Sequence, residues 1–168
     1  LSEIGRFLVG VGNDVEIVDL GHQRDMELAI EVPPSDLEAV PPKEQWADIY
    51  RRLGTLIGAH RTALIFVNTR ALAERVTHNL SERLGHDAVA SHHGSLSKER
   101  RLSVEKRLKD GGLKALVATA SLELGIDIGQ LGAIVIAGYP GSIASLWQQA
   151  GRAGRRSAAS AVVFVASG

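Results

Sequence analysis

The sequence predicts an α/β fold: a parallel β-sheet with helices on both of its faces. Three observations predict it. From residue 43 onward helical and strand patterns alternate, several strand segments are continuously apolar, and polar or glycine-rich segments follow those strands. Alternating strands and helices are typical of parallel sheets, whose strands are buried on both faces. The 168 residues suffice for one domain with its own core.

The first 42 residues give weaker signals than the rest of the chain. Val15–Val18 could form a short strand, and Met26–Val32 alternates apolar and polar residues as a half-buried strand does. Four prolines between positions 33 and 42 then mark a loop. We therefore divide the chain into an interdomain linker with the first strands, residues 1–42, and a main domain, residues 43–168.

In the main domain, segments with helical spacing of apolar residues alternate with short apolar runs. Ser97 is the expected N-cap of one helix, which two glycines at 111 and 112 end. The predicted helices are 43–59, Thr69–Leu84, Ser97–Lys109 and Ile143–Ala150, and the predicted strands are Ala63–Val67, Asp87–Ala90, Ala115–Ala118, Ala133–Ala137 and Ala161–Val165.

Composition narrows the possible functions. Lys plus Arg number 19 and Asp plus Glu number 19, so the formal net charge is zero. We therefore expect any contact with nucleic acid to use a local basic patch and few phosphates. Three Phe, two Trp and two Tyr argue against a base-stacking platform. The lack of cysteine excludes thiolate catalysis, and no apolar run resembles a membrane helix or signal peptide. We expect a cytoplasmic protein without a membrane partner.

The segment Gln148–Arg156 alternates glycine with arginine at the end of a short helix. Glycine lets a backbone approach a ligand closely. Arg152 and Arg155 lie three residues apart and could both face one phosphate chain, whose oxygens suit the planar guanidinium. The alternative is a solvated basic turn that the helix dipole favours.

A second segment, Ala118–Gly129, places hydroxyl groups after a strand. Thr119 and Ser121 open a helical turn, where backbone N–H groups can hold a phosphate. Asp127 lies in a glycine-flanked loop and could accept hydrogen bonds from ribose hydroxyls. Alternatively, the hydroxyl groups cap a helix and Asp127 shapes a turn.

Three further segments follow strands. In Phe66–Arg70, the backbone and two polar side chains could grip a nucleic-acid phosphate, although a helix cap and a surface arginine are the plainer interpretation. In His92–Ser95, the turn could meet a nucleic-acid strand or be purely structural. No cysteine and no neighbouring carboxylate supports a metal site at its two histidines, so we predict none. Gly138–Gly141 also follows a strand.

Four of these segments, taken in chain order, resemble motifs IV, IVa, V and VI of superfamily 2 helicases. The resemblance covers about residues 12–168. The second and third are similar to the Lhr (large helicase-related) type, whereas Ala137–Gln149 is more similar to RecQ4-related helicases. The segments are Ala63–Arg70, His92–Leu96, Val117–Gly129 and Gln148–Arg155.

The resemblance implies a RecA-like domain of the P-loop NTPase type, the second motor domain of an ATP-dependent helicase. It implies that Arg152 and Arg155 are arginine fingers, that Gln148 lies near the γ-phosphate, and that Gly125 and Asp127 contact the nucleotide. The strand-binding positions that it implies are Asn68, Thr69, Arg70, His93, Gly94, Thr119 and Ala120.

The sequence contains no G-x-x-x-x-G-K-[S/T] loop and no D-E-x-H or D-E-x-D box. The resemblance implies that an N-terminal RecA-like domain of the same polypeptide carries both and holds most of the ATP and Mg²⁺, so the chain alone should be inactive. It also implies 3′ to 5′ movement on single-stranded DNA or a duplex with a 3′ tail, in the nucleoid. The alternatives are a non-catalytic nucleic-acid- or protein-binding module, and a Rossmann-type enzyme, which the lack of G-x-G-x-x-G opposes.

Overall fold

The computed structural model describes residues 2–18, 26–32, 43–122, 131–153 and 160–165, and these contain five α-helices, one short 3-10 helix (Ala120–Leu122) and six strands. The helices are α1 (Ser2–Val9), α2 (Lys43–Ala59), α3 (Arg70–Leu84), α4 (Lys98–Lys109) and α5 (Ile143–Ala150). The strands are β1 (Met26–Glu31), β2 (Ala63–Val67), β3 (Val89–His92), β4 (Ala115–Ala118), β5 (Ala133–Ala137) and β6 (Ser160–Val165). None of the described helices has the length and apolar character that crossing a bilayer requires.

All six strands form one parallel sheet in the order β1-β6-β5-β2-β4-β3, which confirms the predicted class. Because the strands run in the same direction, their carboxyl ends lie along one edge. From the central strand β2 the chain moves outward to β3, returns to β4 and crosses to β5. The loops after β2, β4 and β5 therefore leave the sheet side by side, at the crevice where ligands bind in open α/β folds.

The continuous apolar run of β2 is explained by burial on both faces of the sheet. Successive residues of a strand point to opposite faces. Ala63, Ile65 and Val67 belong to the cluster that includes α2 and α3, whereas Leu64 and Phe66 belong to the cluster that includes α4 and α5. All five side chains are buried. Each large one contributes roughly 1.5–3 kcal/mol through removal from water.

The N-terminal segment differs from the prediction in two ways. Helix α1 was not predicted, and Val15–Val18 forms no strand. A Cβ on Gly5 would lie 2.5 Å from Val15 Cγ1, so this glycine lets the following chain pack closely on α1. Val15 thus packs on a helix rather than pairing in a sheet. The predicted strand β1 does form, and its pairing with β6 makes it one edge of the sheet.

Strand β3 lies two residues later than the predicted Asp87–Ala90. Its polar residues Ser91 and His92 interrupt the apolar pattern, but neighbouring helices supply their partners. Ser91 Oγ donates to Glu74 Oε1 at 2.9 Å, and His92 Nε2 lies 3.1 Å from Glu105 Oε1. The other predicted elements of the main domain agree with the structure to within one residue.

Candidate functional site

The polar segments predicted from the sequence lie together at the carboxyl edge of the sheet. Asn68–Arg70 follow β2, His93–Ser95 follow β3, Thr119 and Ala120 follow β4, and Gly138–Gly141 follow β5. Because these strands are neighbours, the four segments form one continuous rim.

Hydrogen bonds join neighbouring segments of this rim. Arg70 Nη1 donates to Ser95 Oγ at 3.1 Å, which links the segments after β2 and β3. The N–H of Thr119 donates to the carbonyl of His92 at 3.2 Å, which links β3 to the segment after β4. The predicted strand-binding residues on these loops are therefore held in fixed relation to one another.

Thr69 begins α3 as its N-cap. Its backbone is extended, and its hydroxyl oxygen accepts a hydrogen bond from the N–H of Leu72 at 3.2 Å. A hydroxyl that accepts in this way can still donate its own hydrogen to another acceptor. The N-terminus of a helix also favours anions, because its first N–H groups have no partner within the helix. Capping and phosphate binding are therefore compatible at this residue.

The two adjacent histidines point to opposite faces of the sheet. His92 Nε2 lies 3.1 Å from Glu105 Oε1 of α4, and His93 Nε2 lies 2.6 Å from Glu74 Oε1 of α3. The expectation that no carboxylate is near was wrong, because helices distant in sequence bring one to each ring. The two pairs diverge, and the described residues include no cluster of three or more potential metal ligands.

The His93 ring is turned into the protein and is only 6% exposed. A nucleic-acid strand that contacts this position would therefore meet the backbone of the turn rather than the imidazole. Neither Glu74 nor Glu105 was predicted to matter, because no sequence pattern indicates that either carboxylate reaches a histidine.

Burial and pairing shift the protonation of this region. The hydrogen bond from His93 lowers the pKa of Glu74, partial burial opposes the shift, and the hydrogen bond from Ser91 adds to it. Burial lowers the pKa of His92, Glu105 opposes this, and Arg101 and His93 lower the pKa further. His92 is therefore neutral at neutral pH.

We expect the free energy of unfolding to fall as pH falls from 7 to 5, and His92→Gln to reduce this dependence. The pKa of His92 lies below its ordinary value of 6.5 in the folded protein. Below that value the unfolded chain binds a proton that the folded chain excludes, so acid favours unfolding. Urea unfolding at several pH values measures the effect.

The matched control is His86→Gln, because His86 is exposed. The same pH dependence in wild type and in both variants would show that another group governs acid sensitivity.

Helix α5 leads to the arginine-rich segment. Ser142 caps it by accepting from the N–H of Ser145 at 3.0 Å, and Gly151–Ala153 form a turn after its end. Gln148 is exposed, but Arg152 is only 3% exposed and is engaged within the chain. A nucleotide on another domain could meet this guanidinium only after the side chain or its cover moves.

Gly125, Asp127 and Arg155 lie outside the described residues. The expectation that these residues contact the nucleotide therefore stays a prediction. The expectation that Arg152 and Arg155 both face one phosphate chain also stays a prediction.

Tyr139 was given no role from the sequence, although it lies in one of the segments that follow a strand. The structure places it on the rim, half exposed, where its carbonyl accepts a hydrogen bond from Asn68 Nδ2 at 3.0 Å. An aromatic residue between glycines at a strand end was the signal that could have identified it.

Comparison with known protein families and structures identifies relatives of the chain as a whole. Residues 47–157 match the helicase conserved C-terminal domain. The chain is 41% identical over 156 residues to the ATP-dependent helicase Lhr-Core of Methanocaldococcus jannaschii. That alignment covers 93% of this chain but 18% of the relative, so the chain spans about a fifth of the relative's length.

Two solved structures are similar over most of the chain. One is the Mycobacterium smegmatis helicase Lhr bound to single-stranded DNA and AMP-PNP, with a TM-score of 0.83, 38% identity, and coverage of 98% of this chain and 22% of that one. The other is the DUF1998 helicase MrfA bound to DNA, with a TM-score of 0.75 and 31% identity. The match covers 85% of this chain and 21% of that one.

Proposed function

Because the chain belongs to the helicase conserved C-terminal domain family and has the RecA-like fold, we propose that it is the second motor domain of an Lhr-type ATP-dependent DNA helicase. The activity belongs to a longer polypeptide, since the chain spans about a fifth of the Lhr-Core relative. In that polypeptide, this domain grips one DNA strand and completes a nucleotide site that an N-terminal RecA-like domain mainly forms.

The observation that carries the proposal is the convergence of the predicted strand-binding segments on one rim. The N-terminus of α3, with Thr69 and Arg70, lies beside the turn after β3, and the segment after β4 adjoins the same turn. Backbone N–H groups, hydroxyls and one guanidinium are the groups that position a phosphate backbone without reading its sequence. A small number of such contacts agrees with a chain whose formal net charge is zero.

Gly94 gives independent support, because nothing in the described part of the domain requires glycine there. Its φ is not in the left-handed region, and a Cβ added to it would meet nothing within 4 Å. A bare backbone at an exposed turn permits close approach by a ligand. A DNA strand lying across the turn would use that space.

For the nucleotide, we propose that ATP with Mg²⁺ is held mainly by the N-terminal domain and that this chain contributes Gln148, Arg152 and Arg155. The absence of a phosphate-binding loop from the sequence supports that division. Guanidinium groups at the phosphates would stabilise the charge that develops during phosphoryl transfer. We further propose 3′ to 5′ movement along single-stranded DNA, or from the 3′ tail of a duplex.

One observation favours the second candidate, a non-catalytic nucleic-acid-binding module. Arg152 is covered by its own chain, whereas an arginine finger must reach a nucleotide bound elsewhere. The burial of Arg152 and its role as an arginine finger agree if closure of the two domains moves the residues that cover its side chain.

Gly94→Ala tests the strand grip. We expect the variant to fold with wild-type stability but to bind single-stranded DNA about tenfold more weakly, because a methyl group would occupy the path of the strand. Fluorescence anisotropy with a labelled dT12 oligonucleotide at low salt measures binding, and urea unfolding measures stability.

The matched control is Gly58→Ala in α2, where a Cβ also meets nothing within 4 Å. This helical substitution should raise stability by up to about 1 kcal/mol and leave binding unchanged. Wild-type affinity in Gly94→Ala would remove the turn after β3 from the DNA path.

A further inference from the structure

The turn between β5 and α5 is restrained by a proline and by a hydrogen bond to the end of β2. Gly138 and Gly141 adopt φ values of 100° and 87°, in the left-handed region that favours glycine. Pro140 restricts its own φ. Asn68 Nδ2 donates to the carbonyl of Tyr139 at 3.0 Å and ties the turn to the end of β2. Tyr139 is therefore held in place by constraints on both sides of it.

The side chain of Tyr139 remains half exposed on this restrained turn. Tyr139 is 52% exposed, whereas Tyr50 and Phe66 are 6% and 1% exposed. Within the described parts of the chain, the ring contacts and cation contacts involve Trp46 and Tyr50 but not Tyr139. A ring on a preorganised backbone loses little further entropy when a ligand stacks on it.

A cleft of about 310 Å³ lies beside the ring. This volume is at the lower end of the range for small organic ligands, about 300–1,000 Å³. Tyr139 and Pro140 supply flat apolar surface, and the amide side chains of Asn68 and Gln149 also line the cleft. Flat apolar groups combined with amides suit a planar, polar-edged heterocycle.

The cleft also adjoins the proposed path of the DNA backbone. Two of its lining residues, Asn68 and Ala120, are among the predicted strand-binding positions. Phosphates held there would place a base of the same strand within reach of the ring. One ring serves one base, which agrees with a chain too poor in aromatic residues for a stacking platform.

We propose that Tyr139 stacks on one nucleobase of the bound single-stranded DNA and that this base occupies the cleft. The inference rests on the proposed function, because it requires a DNA strand on the rim. Stacking tolerates any base, so the contact would hold the strand without sequence preference.

Paired oligonucleotides test this proposal. The probes are fluorescein-labelled dT12 and an abasic strand of the same length, with binding measured by anisotropy at several salt concentrations. We expect Tyr139→Ala to bind dT12 about tenfold more weakly, with unchanged affinity for the abasic strand and an unchanged salt slope. Tyr139→Phe should retain wild-type binding, and Tyr139→Leu, which keeps apolar bulk without an aromatic face, should behave as the alanine variant.

Arg70→Ala provides the contrasting variant. Loss of one phosphate contact should weaken both strands equally and reduce the salt slope by about 0.7. Binding of free AMP-PNP is measured as well, because its adenine is a base that could also stack on Tyr139. We expect Tyr139→Ala to leave any AMP-PNP binding unchanged.

Each contrary result has a distinct meaning. Equal effects of Tyr139→Ala on both strands, or no effect on either, would overturn the stacking proposal while leaving the strand grip intact. Weaker AMP-PNP binding with unchanged dT12 binding would assign the ring to the nucleotide and overturn it as well. Failure of the wild-type chain to bind dT12 at low salt would reject the proposed function and the inference together.

Discussion

Replacement of Arg155 by alanine, in a polypeptide that also carries the N-terminal RecA-like domain, should lower kcat for ATP hydrolysis about 10³-fold. Arginine fingers stabilise the charge of the phosphoryl-transfer transition state and contribute factors of about 10³ to 10⁵. Because this stabilisation acts in the transition state, DNA affinity should change less than about twofold. Steady-state hydrolysis with saturating single-stranded DNA measures the first quantity, and anisotropy measures the second.

The adjacent Arg156 supplies a matched control, since it carries the same charge in the same segment but is not implied as a finger. Arg156→Ala should retain near-normal kcat. Parallel losses of hydrolysis and DNA affinity in Arg155→Ala would assign this arginine to the DNA strand. Unchanged hydrolysis would favour the non-catalytic binding module.

Arg152→Ala should lower the free energy of unfolding of the chain by about 2–4 kcal/mol. A residue that is 3% exposed and engaged within the chain has both packing and partners to lose. Removing one member of a buried polar contact leaves the other without compensation, which is among the costliest kinds of substitution. Urea unfolding of the 168-residue chain measures the change.

Arg51→Ala is the matched control, because Arg51 is exposed and pairs with Asp48 at the surface. Its effect should stay within about 0.5 kcal/mol. Wild-type stability in Arg152→Ala would show that this side chain is not needed in the fold and can turn outward. A large loss would mean that kinetic effects of Arg152 variants must be measured at temperatures where the variant is folded.

The main-domain fold could be predicted because its strands are buried on both faces, and such strands are continuous apolar runs. Ala63–Val67 and Ala133–Ala137 could not be mistaken for surface segments. Helix α1 escaped prediction because several of its large apolar residues are exposed, so no packing pattern marked it. Strand β3 was predicted two residues too early because its polar residues interrupt the apolar pattern. Their partners lie on α3 and α4, and the sequence does not show that these helices are close to the strand.

The candidate site could be predicted in its location but not in its detail. A parallel sheet places the segments after its strands at one edge, so the approach of Asn68 to Tyr139 follows from topology. The burial of Arg152 and the pairing of His93 with Glu74 depend on how helices pack, which local pattern does not encode. The aromatic residue between glycines could have drawn attention to Tyr139, but only the structure shows the hydrogen bond that restrains its turn and the cleft beside it.

The opposed histidines have a consequence for how such a motor could move. His92 is tied to the helical layer on one side of the sheet, and His93 to the layer on the other. Movement of the end of β3 against either layer would separate one of these two pairs, of which His92–Glu105 is the more buried. In the proposed helicase, we therefore expect the turn after β3 to move together with both helical layers.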